Sequence, residues 1–219
     1  MKKVFVLLLC IVLWGCAEKS DFKAGLDEVF ASAEAERSFR KNNYSSYIDY
    51  YVPSDVYEIK ADALSTCYEY GNSRLILNVN VSGIISAKYY PDNIFTDEGL
   101  FDTSKLVYEK SGKYLDSEGE LNDFEYRVYE YEDRYLTHFL SRDLVFYGYS
   151  DIYDLVGMSS RILMMAKAAN VKDEDVVVNY SSKDVIDFEK KEVNLFETIM
   201  PVNGNINDFL LPQNDSSAE

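Results

Sequence analysis

Side chains capable of nucleophilic or metal-assisted chemistry are scarce in this sequence of 219 residues. His138 is the only histidine, so a site built from two or three histidines cannot form within one chain. Cys67 lies in a β-prone run with no neighbouring base or cation to generate a thiolate, so we expect a buried, inert thiol. The sequence contains no G-x-S-x-G, G-x-G-x-x-G or Walker motif. We therefore assign no catalytic, cofactor-binding or metal-ligating residue, and we favour a protein that is not an enzyme.

Two acidic runs offer the remaining candidates for chemistry. They are LDSEGELND at 115–123, with Asp116, Glu118, Glu120 and Asp123, and KDED at 172–175, with Asp173, Glu174 and Asp175. Calcium prefers oxygen ligands on a tight turn, but glycine is fourth from Asp116, whereas an EF-hand requires it at the sixth position. Paired carboxylates can also hydrolyse glycosides. Solvated turns are the simplest interpretation, and a calcium-binding module and a carboxylate-dependent glycan hydrolase remain as alternatives.

A different kind of chemistry is indicated at the amino terminus. Lys2 and Lys3 precede an apolar run that ends at Trp14. The run falls short of the roughly 20 residues that span a bilayer, and it has the size and flanks of a secretory signal. The sequence Leu-Trp-Gly-Cys that ends at Cys16 resembles the lipobox of bacterial lipoprotein precursors, although Trp14 replaces a smaller residue. This resemblance covers residues 1–16 only.

The lipobox resemblance implies a location and a covalent modification. Residues 1–15 would be a signal peptide, and Cys16 would carry diacylglycerol and an acylated amino terminus. Two acyl chains hold a protein on a membrane where a single chain binds reversibly. We therefore expect a protein anchored to a membrane of the cell envelope on its extracytoplasmic side. Cys67 would be the only remaining thiol, so the domain would have no internal disulfide.

The charge balance limits the partners. The chain has 38 acidic and 22 basic residues, and loss of Lys2 and Lys3 would take its net charge from −16 to −18. Such a charge disfavours nucleic acid and repels anionic lipid head groups. A solubility role explains the acidity most simply, and a basic partner or a bound cation is the alternative.

Tyrosine is unusually frequent, with 19 copies beside 12 phenylalanines. Several occur in the run NYSSYIDYY, where Tyr47 and Tyr51 would share a face if the segment were helical. Others follow one another between Tyr126 and Tyr153. Tyrosine is common at the rim of a β-sheet core, and it is also suited to an interface with a protein or glycan partner.

The periodicity of apolar residues predicts an α+β fold. Helical spacing predicts one amphipathic helix at about 21–41 and a second at 150–169, the latter capped by Ser150. Between them, alternating residues predict antiparallel strands. These are a hairpin about Gly71-Asn72, whose second strand alternates from Leu75 through Ser82, and then a meander of four or five strands over 105–149. The two helices would pack on one face of this sheet.

Further strands are predicted after the second helix. The runs EDVVVNYSS, DVIDFE and EVNLFETIM are all β-prone. We expect one globular domain over 16–205 and a partly disordered tail over 206–219. A binding or accessory module of the cell envelope is the function that these features favour.

Overall fold

The computed structural model describes residues 22–35, 39–90 and 101–180 of the chain. Within these ranges the protein is α+β, as the sequence predicts, and every strand pairing is antiparallel. The strands of the larger sheet are Tyr57–Ala61 (β3), Ser65–Tyr70 (β4), Ser73–Val79 (β5), Leu106–Leu115 (β6), Leu121–Tyr131 (β7), Arg134–Ser141 (β8) and Leu144–Ser150 (β9). They are arranged in the order β3-β4-β5-β9-β8-β7-β6.

A smaller sheet and four helices complete the described fold. The small sheet has the order β1-β2-β10, from Asn43–Tyr44 (β1), Ile48–Tyr50 (β2) and Asn170–Val171 (β10). The α-helices are Phe22–Ala31 (α1), Val81–Tyr89 (α2), Ile152–Ala168 (α3) and Asp173–Tyr180 (α4), and Thr103–Lys105 forms a single 3₁₀ turn. In the described part of the chain, no helix combines the length and apolar character needed to cross a membrane.

The predicted hairpins and meander are confirmed. Tyr70 pairs with Ser73 across the turn, and Gly71 adopts a positive φ of 57° there, which glycine tolerates without strain. The meander has four strands, β6 to β9, each paired with the next. The run 106–115 is one long strand that continues through Ser111 and Gly112, because both residues keep their pairing with β7.

Helices α1 and α3 pack together on one face of the large sheet. The ring of Phe30 in α1 lies 4.6 Å from Tyr126 of β7, and Ser159 of α3 is hydrogen-bonded to the same tyrosine at 2.5 Å. On α3, Leu155, Met158 and Ile162 are fully buried. Burying such side chains stabilises the fold by about 1.5–3 kcal/mol each.

Both of these helices start at the same end of the sheet. Phe22, at the start of α1, lies 5.4 Å from Tyr135 of β8. Tyr135 pairs with Ser150, which lies two residues before the start of α3. At the other end, the backbone N–H of Leu115 donates to the carbonyl of Ala33 after α1. Helices α1 and α3 are therefore parallel, and their carboxyl ends lie beside the turn between β6 and β7.

Helix α1 is shorter than predicted. It ends at Ala31 and is followed by a turn through residue 35, whereas the apolar spacing predicts a helix to about residue 41. The ammonium of Lys167 in α3 donates to the carbonyls of Ser32, Ala33 and Ala35, at 3.1, 2.7 and 2.5 Å. The Ser32 and Ala33 carbonyls also accept the backbone N–H groups of Ala35 and Leu115, both at 3.2 Å. Contacts with two distant residues, Lys167 and Leu115, therefore fix the turn at which α1 ends.

Helix α3 spans 152–168, close to the prediction of 150–169, but its cap differs. Asp151 accepts the backbone N–H groups of Tyr153 and Asp154, both at 2.9 Å. Ser150 is instead the last residue of β9 and is completely buried. The aspartate lies one residue later, where its carboxylate reaches the free N–H groups of the first turn.

Two predicted extended segments are helical instead. The apolar alternation starting at Leu75 was expected to continue through Ser82, but β5 ends at Val79 and Asn80 caps α2 by accepting the N–H of Gly83. The run EDVVVNYSS was expected to be a strand, but residues 173–180 form α4. The acidic first turn of α4 matches the helix dipole, and Val176 and Val177 are buried.

The remaining predictions are divided between the described and undescribed parts. The segment with Tyr47 and Tyr51 is not helical, because residues 48–50 form strand β2. The runs DVIDFE and EVNLFETIM, the tail 206–219 and the signal region 1–15 lie outside the described residues.

Candidate functional site

A pocket of about 240 Å³ lies at the end of the large sheet where α1 and α3 terminate. It is formed by the β6–β7 turn, the β8–β9 turn, the end of α3, strand β10 and the start of α4. We call it the acidic pocket and define it by its charged and amide side chains, which are Asp116, Glu118, Asn122, Arg142, Asp143 and Asp173, with Asn170 at its edge.

The β6–β7 turn is held by Asp116. One oxygen of its carboxylate accepts the backbone N–H groups of Glu118 and Glu120, at 2.8 and 2.9 Å. The other oxygen accepts the side-chain amide of Asn122 at 2.7 Å. Gly119 completes the turn with a φ of 87° and has open space around it. Both Asp116 oxygens are therefore engaged in shaping the wall of the pocket.

The β8–β9 turn supplies Arg142 and Asp143. Asn80, at the start of α2, fixes this turn by donating its side-chain amide to the Ser141 carbonyl at 2.9 Å. The backbone N–H of Asn80 donates to the Asp143 carbonyl at 2.8 Å. A Cβ added at Gly83 would collide with the Arg142 carbonyl, so the start of α2 packs tightly against the turn.

Arg142 links two carboxylates across the pocket. It donates to both oxygens of Asp143, with Nη2 at 2.7 Å from Oδ2, and its Nη2 also lies 3.2 Å from Oδ2 of Asp173. The hydrogen bond to Asp143 is the main reason that the pKa of Arg142 is raised. The two hydrogen bonds from the Arg142 guanidinium to the Asp143 carboxylate fix the relative orientation of both groups, which a single bond from a lysine would not do.

Asp173 is the least compensated carboxylate of the pocket. Burial, followed by the neighbouring charge of Asp143, raises its pKa above the usual 3.8, against the opposing effect of Arg142. Its Oδ1 is buried and makes no hydrogen bond to the described residues. An additional positive group in the pocket would stabilise the ionised form of Asp173.

The charge of the pocket favours a cation. Asp116, Glu118, Asp143 and Asp173 face a single guanidinium, that of Arg142. Within residues 22–35, 39–90 and 101–180, no group of three or more histidine, cysteine or carboxylate side chains is arranged to hold a metal ion. These carboxylate oxygens are suited to accept hydrogen bonds from an ammonium or guanidinium group.

The pocket brings together two runs that are far apart in sequence. Asp116 and Glu118 come from the first acidic run and Asp173 from the second, while Glu120, Asp123, Glu174 and Asp175 are not part of the lining. Sequence reasoning missed Arg142 and Asp143 as residues of the site. The signal available in the sequence was an arginine next to an aspartate in the two-residue turn between β8 and β9.

The other residues considered in the sequence occupy structural positions. His138 is 1% exposed, and its ring stacks on Tyr147 at 5.1 Å and lies 5.3 Å from Phe101. Cys67 is a buried free thiol, as predicted, and burial raises its pKa. Cys16, the predicted lipidation site, lies outside the described residues.

The tyrosines are dispersed over the described molecule. Tyr50, Tyr68 and Tyr126 are core residues with 2% exposure or less. The most exposed ones lie on separate elements, with Tyr44 on β1 and Tyr153 at the start of α3. Most of this tyrosine content therefore fills the core and its rim, and it gives little support to an interface made of tyrosine.

Comparison with known proteins assigns no family. No protein-family model matches this chain, and no curated protein is significantly similar to it. The fold and the pocket define an α+β protein with a small cavity lined mainly by carboxylates, and the functional argument therefore depends on the residues themselves.

Proposed function

We propose that this protein is an extracytoplasmic lipoprotein, anchored through Cys16, that acts as a binding or accessory module of the cell envelope. Its acidic pocket would accept the ammonium group of a lysine side chain of a partner protein. The observation that carries this proposal is the excess of carboxylates over Arg142 around a small cavity, with the Oδ1 of Asp173 buried and unbonded among the described residues.

The size of the cavity supports a side chain as its occupant. A volume of about 240 Å³ is below the roughly 300–1,000 Å³ typical of sites for drug-sized ligands. One cationic side chain fills a space of this order. Such a contact gives specificity and speeds association, since complementary charges steer the encounter.

The position of α1 supports work close to the membrane. Only five residues, 17–21, separate Cys16 from Phe22, a reach of about 20 Å at most when the chain is extended. Because α1 is packed on α3 and fixed by Lys167, it does not act as a free stalk. The anchored body would therefore stay within reach of partners in or near the same membrane.

Two measurements on the full chain test the proposal. Intact mass analysis of protein from native membranes should give a chain that begins at Cys16 and carries lipid, while Cys16→Ala should abolish the lipid. Recovery of the wild-type protein as an unmodified chain starting at Met1 would refute the anchor.

The pocket is tested by zero-length coupling of carboxylates to amines in intact membranes. Asp173→Asn should remove a specific adduct with a partner protein, whereas the matched variant Glu174→Gln should keep it, since Glu174 is exposed and outside the lining. Loss of the adduct in both variants, or in neither, would refute the role of the pocket.

A carboxylate-dependent hydrolase of envelope glycans is the second candidate. It is favoured by the raised pKa of Asp173 beside a second carboxylate, an arrangement that suits a general acid. Hydrolysis of cell-wall glycans that is lost in Asp173→Asn would establish it. The calcium-binding alternative is weaker, because both Asp116 oxygens already accept hydrogen bonds within the turn. A melting temperature unchanged by calcium or chelator would remove that alternative.

A further inference from the structure

Strand β6 forms one edge of the large sheet, and no other described strand pairs with its outer side. Within the described ranges, its only backbone hydrogen bond on the outer side joins the N–H of Leu115 to the carbonyl of Ala33. Glu109, Ser111 and Lys113 are all exposed. An open edge presents backbone donors and acceptors to which another strand can bond.

We propose that β6 pairs antiparallel with β6 of a second copy of this chain, about a two-fold axis at Ser111. The pairing would join the two large sheets into one continuous sheet. It requires no change in the fold of either copy, and it goes beyond the proposed function, because it names a second copy of the chain as a partner.

The direction of the backbone groups fits this register. The N–H of Asp116 donates toward β7, to Glu120, whereas that of Leu115 points outward. Because these directions alternate along an antiparallel strand, the backbone N–H and C=O groups of Lys113, Ser111 and Glu109 also point outward. With a two-fold axis at Ser111, Ser111 faces Ser111 of the second copy, and Glu109 faces Lys113 on either side of it. These facing pairs would form about six backbone hydrogen bonds in all.

The side chains in this register are complementary. Glu109 of each copy would face Lys113 of the other, and Ser111 would face its own copy. Within one chain, Glu109 already contacts Arg127 at 2.8 Å and Lys113 contacts Asp123 at 3.1 Å. The junction would therefore extend a row of alternating charges from one copy to the next. Opposite charges in facing positions stabilise antiparallel pairs, and like charges destabilise them.

The opposite edge of the sheet is less suited to pairing. Strand β3 has only five residues, and its register shifts between Glu58 and Lys60, as a β-bulge does. Bulges and short strands protect an edge from pairing. In contrast, β6 pairs with β7 in an unbroken register from Tyr108 to Leu115.

The two-fold axis would also be compatible with a membrane. An axis perpendicular to the sheet leaves both copies of α1 on the same side of the joined sheet. Both Cys16 residues could then enter one bilayer. This compatibility rests on the proposed function, whereas the pairing itself does not depend on lipid.

Engineered disulfides in the full chain test the register. In an antiparallel hydrogen-bonded pair the Cα atoms lie about 5.5 Å apart, which is within the range that a disulfide bridges. Ser111→Cys should therefore form a covalent dimer under mild oxidation in membranes. Glu109→Cys is the matched control on the same strand, since its two copies would lie four residue steps apart, about 13 Å.

The expected yield of covalent dimer with Ser111→Cys is about tenfold higher than with Glu109→Cys or with the parent chain, because Cα atoms about 13 Å apart lie beyond the range that a disulfide bridges. Equal dimer formation by the two cysteine variants would overturn the register. The unlipidated Cys16→Ala chain should give the same pattern, so the outcome is independent of the anchor.

A charge reversal tests the junction without a cysteine. Lys113→Glu would place like charges opposite each other twice per dimer, and sedimentation of the full chain in detergent should show dimer affinity reduced by about tenfold. Lys60→Glu on β3 is the matched control and should leave the affinity unchanged. A monomer at every wild-type concentration, or equal effects of both reversals, would overturn the proposal.

Discussion

Replacement of Lys167 by methionine tests whether one buried ammonium sets the end of α1. Lys167 is 3% exposed, and among the described residues it donates to three carbonyls just beyond α1, those of Ser32, Ala33 and Ala35. Methionine keeps the length of the side chain and its apolar contacts but removes every donor. All three carbonyls would lose a charged donor; those of Ser32 and Ala33 would keep the backbone N–H groups of Ala35 and Leu115, both at 3.2 Å.

The expected destabilisation follows from two opposing contributions. Each hydrogen bond from a charged donor stabilises the fold by about 1.5–3 kcal/mol. Burial of the ammonium itself costs several kcal/mol, which the variant recovers. We expect a net loss of about 3 kcal/mol in the free energy of unfolding, or about 6–12 °C in Tm for a chain of this size.

Denaturant unfolding and limited proteolysis would measure this effect. Lys167→Met should unfold at lower denaturant and be cleaved faster near residues 32–35, because the turn after α1 loses its fixed position. Lys88→Met, on the exposed end of α2, makes the same chemical change and should stay within about 0.5 kcal/mol of wild type. A loss below about 1 kcal/mol for Lys167→Met would refute the reasoning, since a removed buried donor costs at least that much.

Three further changes give distinct outcomes. The pKa of Asp173 in the folded protein is raised above 3.8, so Asp173 stabilises the fold most below that pH, and this contribution is lost as the pH rises through the folded pKa. Unfolding titrations should therefore show Asp173→Asn gaining stability relative to wild type from acid to neutral pH. Gly83→Ala should destabilise the fold by about 1–3 kcal/mol in the same assay, since its Cβ meets the Arg142 carbonyl. Asp151→Ala should cost about 1–2 kcal/mol through loss of the α3 cap, and a larger loss in Ser150→Ala would show that the cap is misassigned.

Local patterns in the sequence were sufficient to predict the hairpin and the meander of the large sheet, but not strand β3 or the pairing of β5 with β9. The hairpin at Gly71-Asn72 and the meander over 106–150 depend on residues within about ten positions of each other, and both are present. Helix α3 was predictable for the same reason, because its apolar seam and its end signals lie within one run of residues.

The errors occurred where distant residues decide the structure. The end of α1 depends on Lys167, which is more than 130 positions away in the chain. Helix α4 contains three consecutive valines, which favour a strand, but an acidic first turn and the burial of Val176 and Val177 outweigh that preference. Local propensity is a weak guide when packing decides otherwise.

The sequence indicated the acidic residues of the pocket but not that they meet. Both acidic runs were recognised, but their contact depends on the path of the chain: β6 and β7 meet at Asp116, and α3 returns to the same end before Asp173. Arg142 could not be assigned from the sequence because its role depends on bonding to both Asp143 and Asp173. The contact with Asp173 joins segments about 30 residues apart and leaves no motif in the sequence.

The pairing of β5 with β9 has a consequence for biogenesis. Leu75, Leu77 and Val79 face partners near Leu144 and Phe146, which are synthesised some 70 residues later. Until those partners emerge, the first hairpin has an apolar row with nothing to cover it. The nascent chain must therefore stay unfolded or be held by a chaperone until α3 is complete, since contacts between distant segments form late. A chain that stops before Leu144 would aggregate instead of forming a smaller domain.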